Sequence, residues 1–143
     1  MTAVRSRKES RDYDKYRKTI IPGACQFCDI QQGDRQLIAE TADFKIIRNI
    51  FPYSIWDSQR VADHLMILPK QHTDTLRDLS PKQAQEYVRL ISDYESKGYN
   101  VYARAPASRI KTVVHQHTHL IKPSGAPSKV VFMIRRPYFR IIF

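Results

Sequence analysis

Long apolar runs are missing from this 143-residue chain. The run nearest the C-terminus, Val130 to Ile134, is far shorter than the roughly 20 residues a bilayer-spanning helix needs. No membrane partner is therefore expected. Cysteine is scarce too, with Cys25 and Cys28 the only two. That pair excludes a disulfide framework and leaves a metal site or a redox pair. The segment Met1 to Lys18 is polar and lacks the apolar stretch of a secretory leader, so a cytoplasmic location is expected. Internal repeats and low-complexity tracts are also absent.

Acidic residues are absent from 122–143, which carries five Lys or Arg. Residues 1–24 hold seven basic and three acidic residues, while 25–121 is nearly balanced. The net charge of +10 thus sits at the two ends. Basic ends attract phosphates, of a nucleotide or of nucleic acid, or they act as solvated tails that aid solubility. Residues 1–18 are read as a solvated arm with a short helix near Asp12–Lys18, and the C-terminal segment is open to either reading.

The length suits one domain with a hydrophobic core. Gln36–Glu40 and Phe44–Ile50 read as a hairpin. Pro52–Asp63 reads as a loop with Trp56 exposed, where it could stack on a base or serve as a packing anchor or dimer contact. Leu65–Leu68 reads as a strand ending at Pro69. Ser80-Pro81-Lys82-Gln83 predicts a helix start, with a serine cap, proline at the first position and glutamine to complete a capping box. Ala84, Tyr87, Val88, Ile91 and Tyr94 follow as one apolar stripe, and Gly98 supplies the stop. Tyr99–Arg104, Thr112–Ile121 and Val130–Ile134 read as further strands. The pattern predicts an α+β domain on an antiparallel sheet of about five strands with one long helix.

Histidine is concentrated: three of five lie in His115-Gln116-His117-Thr118-His119, and the others are His64 and His72. On a strand, the three alternate residues share a face. Such a row packs poorly but suits metal or phosphate chemistry. Cys25 and Cys28 present two thiolates to one ion, and His72 and His115 complete a tetrahedral zinc site of structural type. A free dithiol is the plainer alternative. An imidazole such as His117, central in the cluster, is a good nucleophile toward phosphorus, and its neighbours can fix its tautomer or assist a leaving group.

At this point the residues match a family. His115–Ile121 resembles the histidine-triad (HIT) motif, and His64-Leu65-Met66-Ile67-Leu68-Pro69-Lys70-Gln71-His72 resembles its upstream strand. Cys25-Gln26-Phe27-Cys28 resembles the zinc-binding start of many bacterial members, and Asn49-Ile50-Phe51-Pro52-Tyr53 resembles a stretch of members acting on dinucleoside polyphosphates. The match covers 25–123, leaving 1–24 as a basic arm and 124–143 as an extension expected to pack on the same domain. The resemblance implies a homodimer and nucleotidyl transfer or hydrolysis at an α-phosphate. It implies His117 as nucleophile, His119 and His64 as phosphate-contacting histidines, Thr112 near the leaving group and Asn49 at the ribose. It also implies Cys25, Cys28, His72 and His115 as zinc ligands.

Departures shape the expectation. Gln116 and Thr118 are polar where the motif is apolar. Ala105–Lys111 replaces the family's glycine-rich approach, whose backbone amides reach phosphates closely. Arg104, Arg109 and Lys111 are the expected substitutes as phosphate ligands. Three functions follow: a HIT-type nucleotide hydrolase or transferase, a non-catalytic nucleotide- or nucleic-acid-binding protein, or a metallohydrolase with metal on His115, His117 and His119.

Overall fold

The computed structural model describes residues 3–127, 131–135 and 138–142, with side chains described through residue 126. Its elements are β1 (Ala3–Val4), α1 (Arg7–Arg17), β2 (Leu37–Glu40), β3 (Phe44–Arg48), β4 (Ile55–Trp56) and β5 (Gln59–Pro69), then α2 (Pro81–Glu95), β6 (Asn100–Ala103), β7 (Thr118–Pro127), β8 (Val131–Arg135) and β9 (Tyr138–Ile142). The expected five-stranded antiparallel sheet is present in the order β2-β3-β5-β7-β6. β4 and β1 extend it from the first half of β5. β8 and β9 pair with each other as a separate ribbon. How the 124–143 extension packs lies outside the described side chains.

Alternation along β5 and β7 assigns the two faces of the sheet. Leu65 and Ile67 of β5 join Phe44, Ile46 and Leu120 under Tyr87, Leu90, Ile91 and Tyr94 of α2. Met66 and Leu68 point the other way, to Phe27, Ile30 and Ile47. His64, in step with Met66, and His119, opposite Met66 in the register, belong to this second face. The helix therefore covers one face and the histidines occupy the other.

α2 begins as expected, with Ser80 and Gln83 exchanging capping hydrogen bonds. It closes with Gly98 at φ +85° and bonds from Gly98 N–H to Glu95 O and from Tyr99 N–H to Tyr94 O. One stripe position differs: Val88 is 62% exposed, and Leu90 packs in its place. The inward face is rotated because the helix presents positions 87, 90, 91 and 94 to the sheet.

Two strand readings need correction. Pro52–Asp63 is not a loop, because Ile55–Trp56 and the start of β5 form a hairpin across Asp57 and Ser58. Both turn residues have positive φ, 46° and 62°, as a type I′ turn requires. Asp-Ser is a weak signature for that turn. Trp56 is consequently buried at 3% exposure, packed with Tyr53, Ile121, Ala3, Val61 and Tyr102. Trp56→Ala should lower the unfolding free energy by about 3–5 kcal/mol. A urea titration checks this, and a loss below about 1 kcal/mol would contradict the packing.

The second correction concerns Thr112–Ile121. Its strand starts only at Thr118, where pairing with both neighbours stops: Ile67 and Ala103 each pair with Thr118, β6 ends there, and the last two residues of β5 pair with β3 alone. Residues 112–117 run beyond the sheet. They are anchored instead by Gln116 N–H donating to Thr73 O at 2.6 Å.

The N-terminal arm is also not a solvated tail. β1 pairs with β4, and α1 begins five residues before the expected Asp12, behind a Ser6–Glu9 capping box. Ser54 bonds to both Ser6 N–H (2.8 Å) and the Glu9 carboxylate. Tyr16 OH donates to Gln26 Oε1 at 2.7 Å. The helix lies against the histidine-bearing face.

Candidate active site and metal centre

The Cys25–Cys28 turn is closed by Cys28 N–H donating to Cys25 O at 3.0 Å. It projects both sulfurs toward His72, just past the end of β5, and toward His115, just before β7. Cys25 Sγ lies 3.3 Å from His115 Nδ1, and Cys28 Sγ lies 3.3 Å from His72 Nδ1 and 3.5 Å from His115 Nδ1. All four donor atoms fall within 4.8 Å of one another. Tetrahedral zinc with ordinary Zn–S and Zn–N bonds separates S from N by about 3.5 Å, so the donor set and its spacing fit that ion. His115 Nε2 donates to Pro69 O at 2.9 Å, which frees Nδ1 for a metal and holds the ring in place. The Cys28 thiol is pushed up to about 11, first by burial and then by neighbouring Cys25. A bound cation would relieve that penalty by favouring the thiolate.

The other histidines form a second group. His117 Nδ1 donates to His115 O at 2.8 Å, so its lone pair is at Nε2. Tyr53 N–H donates to His64 Nδ1 at 3.1 Å, which places the His64 proton on Nε2. That nitrogen is 2.9 Å from His119 Nδ1 and donates to it. The His119 proton is then on Nε2, which has no hydrogen-bond partner among the described residues. The rings of His117 and His119 lie edge to face, 5.0 Å apart, and both line one pocket. The metallohydrolase arrangement is not found, since His115 turns its Nδ1 to the cysteines and away from His117 and His119.

The two polar departures from the motif are satisfied locally. Buried Thr118 bonds Tyr87 OH at 2.6 Å on the α2 face. Buried Gln116 accepts from Lys111 Nζ at 3.3 Å. Each of these side-chain oxygens has a partner, so its burial carries no large penalty.

The pocket walls include Asn49, Phe51, Tyr53, Arg104, Lys111 and Thr112, together with Arg5, Tyr13 and Tyr16 from the N-terminal segment. Of the expected phosphate ligands, Arg104 and Lys111 are there, but Arg109 is not. It is exposed on the turn at 105–111 and is not among the residues that line the pocket. Thr112 bonds Tyr13 OH at the rim. Asn49 Oδ1 accepts from Phe51 N–H at 2.9 Å, and its amide nitrogen lies 3.2 Å from His64 Nε2, which carries its own proton in this tautomer and so does not accept from it. Arg5, Tyr13 and Tyr16 were missed in the sequence. The signal was the Ser6–Glu9 capping box, followed by Tyr13 and Tyr16 on the same helical face as Glu9.

Burial, foremost, and then nearby cations and histidines hold His117 below and His119 well below the usual imidazole range. His64 is brought down to about 3, by burial and then by Arg5. All three are therefore neutral near pH 7. The unfolded chain protonates such a group near 6.5 while the folded chain resists, so stability is complete above 6.5 and declines as pH falls toward 3. The His64 contribution should be about 1.4 kcal/mol per pH unit in that window. Urea titrations from pH 4 to 7 would reveal a shallower slope in His64→Asn, and identical slopes would refute the assignment.

No protein-family model matches the sequence, and no curated protein matches it either. Solved structures do. A HIT family hydrolase from Clostridium thermocellum aligns with a TM-score of 0.54 at 21% identity, over 75% of this chain and 97% of that one. A HIT family protein from Bacillus anthracis aligns with a TM-score of 0.54 at 21% identity, over 72% and 75%. A Zn-bound histidine triad family protein from Mycobacterium smegmatis aligns with a TM-score of 0.50 at 24% identity, over 71% and 77%. The antiparallel sheet, the single helix on its back and the histidines on its front are the histidine-triad fold, and this chain has it.

Proposed function

We propose that the protein is a HIT-type nucleotide hydrolase or nucleotidyl transferase acting at an α-phosphate. One observation carries the reading: His117 is neutral, its Nδ1 is tied to His115 O, and its Nε2 lone pair lies in a pocket walled by cations. His117 Nε2 attacks the α-phosphorus, and the bond to the leaving-group oxygen breaks. His119 Nε2–H donates to a phosphoryl oxygen, and His64 holds His119 in the donating tautomer. Such positioned donors are typically worth about 10²–10⁴-fold. Water or another acceptor then breaks the P–N bond and restores His117. Thr112 serves the leaving-group side, and Arg104 and Lys111 bind phosphate. Asn49 contacts the ribose.

Zinc, when bound to Cys25, Cys28, His72 and His115, cross-links the N-terminal turn to the segment that carries His117. Its role is structural. The reading includes a homodimer, which light scattering would test, and leaves nucleic acid as a partner of the basic ends, which a filter-binding titration would test. Among the described residues no helix is long and apolar enough to cross a membrane.

One observation favours the non-catalytic reading. The turn at 105–111 engages two of its own amides, Ser108 N–H to Ala105 O and Lys111 N–H to Ser108 O, and does not offer these two to a ligand. Trapping separates the two. Adenylated and guanylated substrates are incubated with the protein, quenched, and analysed by mass spectrometry. A nucleotidyl adduct on His117 supports catalysis, whereas tight binding without adduct or turnover supports a binding protein.

A further inference from the structure

The pocket carries four cationic side chains, Arg5, Arg48, Arg104 and Lys111, and no carboxylate among its lining residues. Arg48 is paired with Asp63 at 3.7 Å. Lys111 Nζ already donates to Asp74 O at 3.0 Å, and Arg104 Nη2 reaches Tyr53 OH at 3.4 Å. Arg5 differs. Its Nε donates to Phe51 O at 3.0 Å, and its guanidinium carbon sits 4.5 Å from the Tyr13 ring centre and 4.9 Å from that of Tyr53. Among the described residues, neither of its terminal nitrogens has a hydrogen-bond partner.

A guanidinium clamped between two aromatic faces and fixed through Nε is pre-organised, so little side-chain freedom is lost when its remaining fork binds an anion. Tyr53 stacks on His64 at 5.0 Å and lies 5.8 Å from His119, which sets Arg5 beside the histidine group. The segment bearing Arg5 is fastened at both ends. β1 pairs with β4, Ser6 and Glu9 bond to Ser54, and Tyr13 and Tyr16 bond to Thr112 and Gln26.

We propose that Arg5 is a phosphate-binding residue of this site, delivered by the N-terminal strand and helix acting as a fixed strap. It supplies an anion contact at a pocket where the turn at 105–111 engages its Ser108 and Lys111 amides in its own hydrogen bonds. This rests on the proposed function, since it takes the pocket's ligand to be a nucleotide phosphate.

The test uses the full zinc-loaded chain carrying His117→Asn, to prevent turnover, alone and combined with Arg5→Met or Arg5→Lys. Methionine keeps an unbranched stem between the tyrosines, and lysine keeps the charge but not the fork. Calorimetry measures binding of adenosine, AMP, ADP and their guanosine counterparts, with thermal melts as the check on folding. Arg5→Met should bind nucleotides about tenfold or more weakly and bind the nucleosides unchanged, with Arg5→Lys in between. Unchanged nucleotide affinity in Arg5→Met would overturn the inference and leave the proposed function standing. An equal loss for nucleoside and nucleotide would assign Arg5 a purely structural role and also overturn it. If the parent chain binds none of these ligands, both the inference and the function it rests on fail.

Discussion

Replacing His117 with alanine is expected to abolish turnover, with a loss of at least about 10⁴-fold, and to abolish the nucleotidyl adduct. The size follows from what the ring does. Its Nδ1 hydrogen bond to His115 O leaves one lone pair, at Nε2, and burial keeps that nitrogen unprotonated near neutral pH. Under the proposed mechanism His119 cannot take its place. His119 Nδ1 is occupied by His64, so the lone pair that could attack is already engaged and its Nε2 carries the proton. Quenched-flow mass spectrometry on the parent protein and on His117→Ala reads both quantities. An adduct that persists in the variant would move the chemistry elsewhere and end the proposed mechanism. His119→Ala should be milder, about 10²–10⁴-fold, because it removes a donor and not the nucleophile.

The second large effect concerns the metal centre. Cys28→Ser is expected to lose one equivalent of zinc and to melt roughly 10–20 °C lower. Cys28 is exposed, so the change removes little packing, and the effect comes from the lost ligand. Structural zinc contributes about 10 kcal/mol or more in small peptides that cannot fold without it. This domain has its own apolar core on both sheet faces, so about half of that is assigned here, and each kcal/mol lowers the melting point by about 2–4 °C. Metal analysis and thermal melts with and without a chelator measure both. A chelated protein that melts unchanged yet stops turning over would place metal in the chemistry and refute the structural role.

The two effects are joined in one stretch of backbone. His115 offers Nδ1 to the cysteines, Nε2 to Pro69 O and its own carbonyl to His117. Loosening the metal centre should therefore reach the tautomer of His117 through a single residue. His115 Nε2 holds β5, and its carbonyl makes the connection to His117.

Much of this site was legible because its residues are chemically rare and lie close in sequence. The four zinc-type donors converge as expected. His64, His117 and His119 gather on one face because the period of two along β5 and β7 is a local property of strands. Less legible was anything that depended on where a neighbouring strand ends. The row at 115–119 reads as continuous strand, yet β5 and β6 both stop pairing at Thr118. Arg109 and Arg104 look alike in the sequence, but only Arg104 projects into the pocket.

Apolar periodicity, capping residues, histidine spacing and the Cys-x-x-Cys turn determined by themselves the fold class, the helix with its caps, and the two groups of histidine and cysteine side chains. Only the tertiary structure decided which tautomer each imidazole adopts, that Trp56 is core, and that the N-terminal arm walls the pocket. The physical reason is the range of the forces involved. Period and capping act within a few residues, whereas a proton's position on a ring or a guanidinium between two tyrosines depends on partners tens of residues away along the chain.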